Sequence, residues 1–202
     1  MQKEMLKVFN EKYQEQGVKS RDEVHKQGLW HETFHCWLVS RERDTNYIYL
    51  QLRSETKKDF PNLLDITAAG HLLEDETVNE GVREVEEELG ISVDFNDLIS
   101  LGVIKDCLIT DDIQDYELTN VFLLIWNGDI KDFNVQEDEV SGIVKADLKD
   151  FIGLWSGVTE SISVEGLDYL NKPIYTEVGL QDFVPHETSY MRNVLSKIGS
   201  ML

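Results

Sequence analysis

The sequence predicts an α/β (α+β) fold, one mixed β-sheet with helices on its faces. Three observations lead there. Strand-length runs of apolar, β-branched and aromatic residues recur along the chain, a few segments with helical periodicity interrupt them, and only three prolines in 202 residues leave nothing that announces a linker. The expected organisation is a single domain over residues 1–202, with a core at about 17–156 and a C-terminal extension at about 157–202.

Residues 6–10 (LKVFN) form a short apolar strand, and 21–27 supply one or two helical turns. Residues 33–41 and 47–53 are strands by their β-branched and aromatic content, joined through RERDTN as a hairpin. FPNLLDITAAG holds a proline-led turn and a short strand at 65–68, and residues 77–89 give the clearest helix. Apolar strands follow at 98–105, 116–126 and 140–145, then helices at 147–154 and 188–201. The segment SVEGLDYLNKPIYTE between those helices is a small hairpin or loop.

Thirty-nine acidic against 19 basic residues give a formal charge of −20, a field that repels DNA, RNA and anionic membranes. A small phosphate-bearing molecule remains compatible if a cation mediates the contact. The longest strongly apolar run, residues 121–126, is too short to span a bilayer. MQKEMLKVFNEKYQEQG has no apolar stretch behind a basic head, so a secretory leader is not expected. Cys36 and Cys107 sit in FHCWLV and KDCLIT and are expected as reduced thiols of a cytoplasmic protein.

The chemistry concentrates in GHLLEDETVNEGVREVEEELGI. Thr77 with Glu80 three residues later is a capping box, and Gly90 is placed to end the helix. Val78, Val82, Val85 and Leu89 form an apolar stripe at spacings of four, three and four. Glu84, Glu87 and Glu88 stand at i, i+3 and i+4 and share another face, with no lysine among them. Three clustered oxygen-only ligands suit a hard divalent cation, Mg²⁺ or Mn²⁺.

The run Arg83-Glu84-Val85-Glu86-Glu87-Glu88-Leu89-Gly90-Ile91 matches the ending of the Nudix signature, Arg-Glu-U-x-Glu-Glu-x-Gly-U with U a bulky aliphatic, and on it the chain is identified as resembling the Nudix superfamily. The resemblance implies an α/β/α sandwich with a loop–helix–loop catalytic motif. The front half departs from the family's Gly-x5-Glu-x7-Arg. Gly70 to Glu76 keeps the first gap, whereas six residues separate Glu76 from Arg83. Anchoring on Arg83 instead sets Asp75 in the first acidic place and Ala69 in the glycine place, whose backbone carbonyl the family offers to the metal. Asp75 and Glu76 therefore both stand as the first acid.

GVKSRDEVHKQGLWHETFHCWLVS, LQLRS and FPNLLDITAAGHLL further resemble the Nudix branch related to isopentenyl-diphosphate isomerase. That resemblance places His25, His31 and His71 where isomerase metal ligands stand, and Asp115 and Glu117 at its two later acids. The isomerase's cysteine is replaced, since the tripeptide reads Ala69-Gly70-His71. A methyl group carries no proton, and the intact glutamate triad is typical of hydrolases, so both departures point to hydrolysis. Histidines in apolar stretches, His31 and His35 among them, are expected as hydrogen-bonded packing residues, and His186 as a surface residue. Tyr116, Trp126 and Trp155 are expected to pack the core.

The expected activity is metal-dependent cleavage of a phosphoanhydride bond in a nucleoside diphosphate linked to another moiety, or in a nucleoside triphosphate. Glu84, Glu87 and Glu88, with the Ala69 carbonyl, would hold Mg²⁺ or Mn²⁺, and Arg83 would orient a glutamate. Glu139 in QEDEVSGIV resembles the loop acid many Nudix hydrolases use as general base, and Glu84 and Glu117 compete for that task. The rival expectations are an isomerase of isopentenyl diphosphate and a non-catalytic nucleotide-binding module. The partner expected is a small-molecule substrate; residues 157–202 are left to cover the pocket, pair two subunits as a homodimer, or add stability.

Overall fold

The computed structural model describes residues 4–110 and 113–202. Its strands are β1 Met5–Phe9, β2 Glu15–Ser20, β3 Trp30–Glu42, β4 Thr45–Arg53, β5 Leu64–Asp65, β6 Ala68–His71, β7 Ile99–Ile109, β8 Gln114–Ile125, β9 Val140–Asp147, β10 Ile162–Asp168 and β11 Pro173–Val178. Its α-helices are α1 Arg21–Gln27, α2 Arg83–Leu89, α3 Leu148–Trp155 and α4 Thr188–Gly199.

β3 is the axis of the sheet. Along one side it runs parallel to β8, from Trp30 opposite Tyr116 to Val39 opposite Ile125. Along the other it pairs in turn with β1, with β6 over Thr33–Cys36, and with β4 over Val39–Glu42. β4 leads outward through β9 and β10 to the edge strand β11, while β7 covers the outer side of β8. The sheet therefore opens where β3 exchanges β6 for β4.

Side-chain alternation along β3 divides the core in two. Phe34, Cys36 and Leu38 pack with Val85 and Leu89 of α2. Trp37 and Val39 face the other way, into a larger cluster with Phe151 and Leu154 of α3 and Tyr190, Val194 and Ile198 of α4. The result is the α/β/α sandwich. No helix among the described residues is long and apolar enough to cross a membrane.

Three elements differ from expectation. β2 (EQGVKS) is mostly exposed and shows no apolar alternation; its register with β1 is held by backbone pairing, which leaves no hydrophobic signature. The expected helix at 77–89 is a turn, a 3₁₀ segment Glu80–Val82 and only then α2. Gly81 explains the tightening: a Cβ there would lie 2.7 Å from the Phe34 ring, so this turn presses directly onto β3. The short strand at 65–68 is two, β5 and β6, which pair with β4 and β3 respectively. The segment at 163–177 is the β10–β11 hairpin, added to the sheet on β9.

Phe151 is fully buried, with ring centroids of Trp37, Phe183 and Trp155 at 6.3, 5.8 and 6.4 Å. Replacing it by alanine removes a large aromatic and leaves a cavity, so Phe151→Ala is expected to lower the unfolding free energy by about 3–5 kcal/mol, read from urea titration.

Candidate active site

At the opening between β4 and β6 lies a pocket of about 300 Å³. Every side chain expected in the site from the sequence lines it: Ala69, Arg83, Glu84, Glu87, Glu88 and Glu139, as do Asp115, Glu117, His35, His71 and His186.

α2 builds one wall. Its apolar face docks on β3, which turns Glu84 and Glu88 inward; both are buried, whereas Glu87 is exposed at the rim. Glu88 Oε2 bridges the two sides of the opening, accepting from Gln51 Nε2 of β4 at 3.0 Å and from the Ala69 N–H of β6 at 2.9 Å. The Glu84 carboxylate lies against the backbone of Gly70, where a Cβ would stand 2.1 Å from Oε1. Gly70 thus allows the close approach, while Ala69 contributes its N–H to Glu88. Gly90 in the left-handed region (φ 68°) ends α2, and a Cβ there would strike the Asn134 carbonyl at 2.2 Å.

Arg83 ties the acids together. Its guanidinium pairs with Glu76 through both oxygens and donates to Glu84 Oε1 at 2.7 Å, Glu87 Oε2 at 3.0 Å and the His71 carbonyl at 3.1 Å. It orients glutamates. Glu76, not the exposed Asp75, is the acid it holds, which settles which of the two occupies the place before the helix. The hydrogen bonds of Arg83 go to Glu76, Glu84, Glu87 and the His71 carbonyl and not to Glu88, and burial, followed by the charge of Glu84, pushes the Glu88 carboxyl up to about 8. Burial likewise raises Glu84 to about 7 against the opposing pull of Arg83. Two carboxylates are therefore held out of water with less positive charge than they need, a deficit that a divalent cation fills.

A second set of ligands meets beside this pocket. His25 from α1, His31 from β3, His71 from β6 and Asp115 from β8 bring one ligand atom each within 4.8 Å of one another. His25 Nε2 is 3.3 Å from His71 Nε2 and 3.5 Å from Asp115 Oδ1, and His31 Nε2 is 3.3 Å from Asp115 Oδ1. His31 Nδ1 is 3.0 Å from the Leu29 carbonyl, which only accepts, so Nδ1 carries the proton and Nε2 presents a lone pair. That lone pair faces a carboxylate oxygen, and neither atom, both buried, has a hydrogen-bond partner. Burial lowers His25 to about 4, helped by His31, and lowers His31 and His71 too, so the imidazoles are neutral. Burial, with Glu117 beside it, raises Asp115 well above the carboxylate range. Lone pairs converging on an oxygen with nothing positive between them fit a metal ion.

The register explains the convergence. His31 stands opposite Glu117 across β3–β8 and Thr33 opposite His71 across β3–β6, so alternation places His31, His35, His71, Asp115 and Glu117 on one sheet face. His31 is buried and hydrogen-bonded as expected, and its Nε2 also makes it a candidate ligand. His35 is buried as expected, with a role below. The expectation for His186 is overturned: its side chain is buried between Asp65 and Asp106, because Phe183 and Val184 dock on Leu64 and carry it in, while Pro185 and Glu187 stay exposed. Trp155 packs in the larger core, Trp126 stacks on Phe133, and Tyr116 lies edge-on to Trp30. Both cysteines are free.

A Nudix-domain profile matches residues 29–157, well over half of the chain. The chain belongs to the Nudix family. It is a Nudix-type pyrophosphohydrolase in class, and its relatives are described as Nudix hydrolases. An uncharacterised Nudix hydrolase of Clostridium acetobutylicum is 34% identical over 199 residues, spanning 96% of this chain and 97% of the relative. Nudix hydrolase 3 of Arabidopsis thaliana is 31% identical over 149 residues, 71% of this chain but 19% of that longer protein. In fold, this Nudix chain is similar to a crystal structure from Deinococcus radiodurans, with a TM-score of 0.56 at 19% identity, covering 76% of this chain and 90% of the other. A MutT/nudix family protein from Enterococcus faecalis gives a TM-score of 0.53 at 13% identity, covering 84% and 62%.

Two outcomes test this wall. In the metal-free protein Glu88 binds its proton more tightly than in the unfolded chain, where glutamate titrates near 4.5. The native state therefore holds the extra proton, and Glu88's contribution to stability is lost as pH rises from about 4.5 through about 8. Melting temperatures of the wild type minus those of Glu88→Gln are expected to fall across that window, and saturating Mg²⁺ to abolish the fall. Gly70→Ala pushes the Glu84 carboxylate off its seat, so cation affinity by titration calorimetry is expected to drop on the order of 10–100-fold, with the fold retained by circular dichroism.

Proposed function

We propose that this enzyme cleaves a phosphoanhydride bond of a nucleoside diphosphate linked to a further group, or of a nucleoside triphosphate, in the presence of Mg²⁺ or Mn²⁺. The observation that carries the reading is the pair of buried, under-neutralised carboxylates Glu84 and Glu88 on the pocket wall, with Glu87 at the rim. Their oxygen-only donor set suits a hard cation, and His25, His31, His71 and Asp115, rich in imidazole, suit a softer one such as Zn²⁺. When bound, such ions neutralise the bridging phosphates, polarise phosphorus and lower the pKa of an attacking water.

The protein's own groups support the rest. Arg21, Arg53 and Lys57 are the basic residues, besides Arg83, that line the pocket, and they offer positive charge to a phosphate in a chain of net charge −20. Arg83 keeps Glu84 and Glu87 aimed while anchored on Glu76. The water's proton needs an acceptor, and the three acids expected to compete for that task, Glu84, Glu117 and Glu139, all line the pocket. Glu139 is paired with Lys57 Nζ. Burial would raise Glu117, but the histidine side of the pocket, His35 foremost, draws it below the usual carboxylate range, so it stays ionised.

The histidine cluster favours a second reading, an isomerase of an allylic diphosphate. Against it, neither cysteine lines the pocket, and Ala69 stands where that chemistry needs a thiol. A screen of nucleotide and sugar-nucleotide diphosphates with Mg²⁺ and Mn²⁺, scored for phosphate release with and without phosphatase coupling, separates the two. Turnover is expected for a nucleotide, and Glu87→Gln and Glu88→Gln are expected to lose it by orders of magnitude with the fold intact by circular dichroism. Full activity in both variants, or allylic isomer formation without phosphate release, would overturn the assignment.

A further inference from the structure

Residues 183–198 lie beyond the span matched by the Nudix profile, yet two of them, Val184 and His186, line the pocket. Phe183 bridges in parallel to Leu64, and the Val184 N–H donates to the Leu64 carbonyl at 2.9 Å. His186 then inserts between two buried acids, Nδ1 at 2.5 Å from Asp106 Oδ2 and Nε2 at 2.8 Å from Asp65 Oδ1. The chain enters α4, which delivers the fully buried Tyr190. Its hydroxyl lies 2.8 Å from His35 Nδ1 and 3.3 Å from Trp37 Nε1. His35 Nε2, on the far side of the ring, is 3.3 Å from Glu117 Oε2.

The donor inventory gives this chain a direction. An indole N–H only donates, so the Tyr190 oxygen accepts from Trp37. The phenol proton is then directed at His35 Nδ1, which must present its lone pair, and the ring's proton sits on Nε2, facing Glu117. The opposite tautomer would waste the phenol proton and set an imidazole lone pair against a carboxylate oxygen in a buried site, and each mismatch is destabilising. Thr119 Oγ1 donates to the same Glu117 oxygen at 3.3 Å. With Oε2 engaged twice, Glu117 Oε1 is the oxygen left for the pocket.

We propose that Tyr190 is a positioning residue: through His35 it fixes the orientation of Glu117, and the C-terminal segment is thereby a working part of the active site. The proposal deepens the hydrolase reading and, for its kinetic part, rests on it. The place of His186 agrees, since it seats the segment on Asp65 and Asp106 one helical turn before Tyr190.

The test uses the full-length chain. In ¹⁵N-labelled wild-type protein, long-range imidazole NMR correlations are expected to show His35 as the Nε2–H tautomer, and in Tyr190→Phe to show loss of that preference. Steady-state turnover of ATP and of ADP-glucose with Mg²⁺ is expected to lose kcat by about tenfold or more in Tyr190→Phe, with KM within about twofold and melting little changed, the size typical of groups that orient an active-site ligand. His35→Gln, whose amide accepts at one end and donates at the other, is expected to recover much of the turnover lost in His35→Leu. A wild-type His35 found as the Nδ1–H tautomer overturns the proposal even if Tyr190→Phe fails to fold, and so does an unchanged kcat in a folded variant. If the wild type turns over neither nucleotide, the substrate assignment fails by itself, and the tautomer still decides the relay.

Discussion

Removing a carboxylate from water without a cation beside it is among the costliest arrangements a fold can hold. This chain does so on one short helix. Glu84 and Glu88 are pressed inward because Val85 and Leu89, one residue away from each, are anchored in the core against Phe34 and Cys36. The two faces of α2 cannot be satisfied separately: docking the valine and leucine obliges the acids to enter the opening of the sheet. Arg83 offsets part of the cost from the side, and Gln51 and the Ala69 N–H supply hydrogen bonds without charge. What remains uncompensated is a demand for positive charge at the pocket wall.

The sheet turns that demand into a site. Because β3 exchanges β6 for β4 partway along, the carboxylates of one layer reach the same pocket as side chains that belong to the other face. Tyr190, His35 and Glu117 approach from the side of α3 and α4, Glu84 and Glu88 from the side of α2. An unbroken sheet would keep these groups apart. Polar residues sit around the gap and apolar ones on both flanks, so the breach remains a pocket with rigid walls.

Much of this was legible in the sequence. The strand runs and the hairpin through RERDTN read directly, because apolar periodicity is written by burial. The triad Glu84, Glu87 and Glu88 was legible from helical spacing alone, and its motif pointed to the family before any geometry. Other features left no such trace. β2 is polar and exposed, so only backbone pairing marks it. His25, His31, His71 and Asp115 come from four elements, with as many as 44 positions from one to the next along the chain (His71 to Asp115), and no local period links them; only the resemblance to the isomerase branch hinted that they belong together. His186 and Tyr190 were harder still, since their partners Asp65, Asp106, His35 and Trp37 lie far back in the chain. A histidine before a helix and a tyrosine within one carry no sign of what they will meet.

The in-register parallel pairing of β3 with β8 has a consequence for how such a protein can diverge. Adding or deleting one residue in either strand would turn Asp115 and Glu117, or His31 and His35, to the opposite face of the sheet. Ahead of α2 the chain is a turn, and there the spacing between Glu76 and Arg83 is already one residue shorter than the family pattern without separating the two side chains. Descendants of this sequence are thus free to drift in loop length before the helix, while the two strands must keep step.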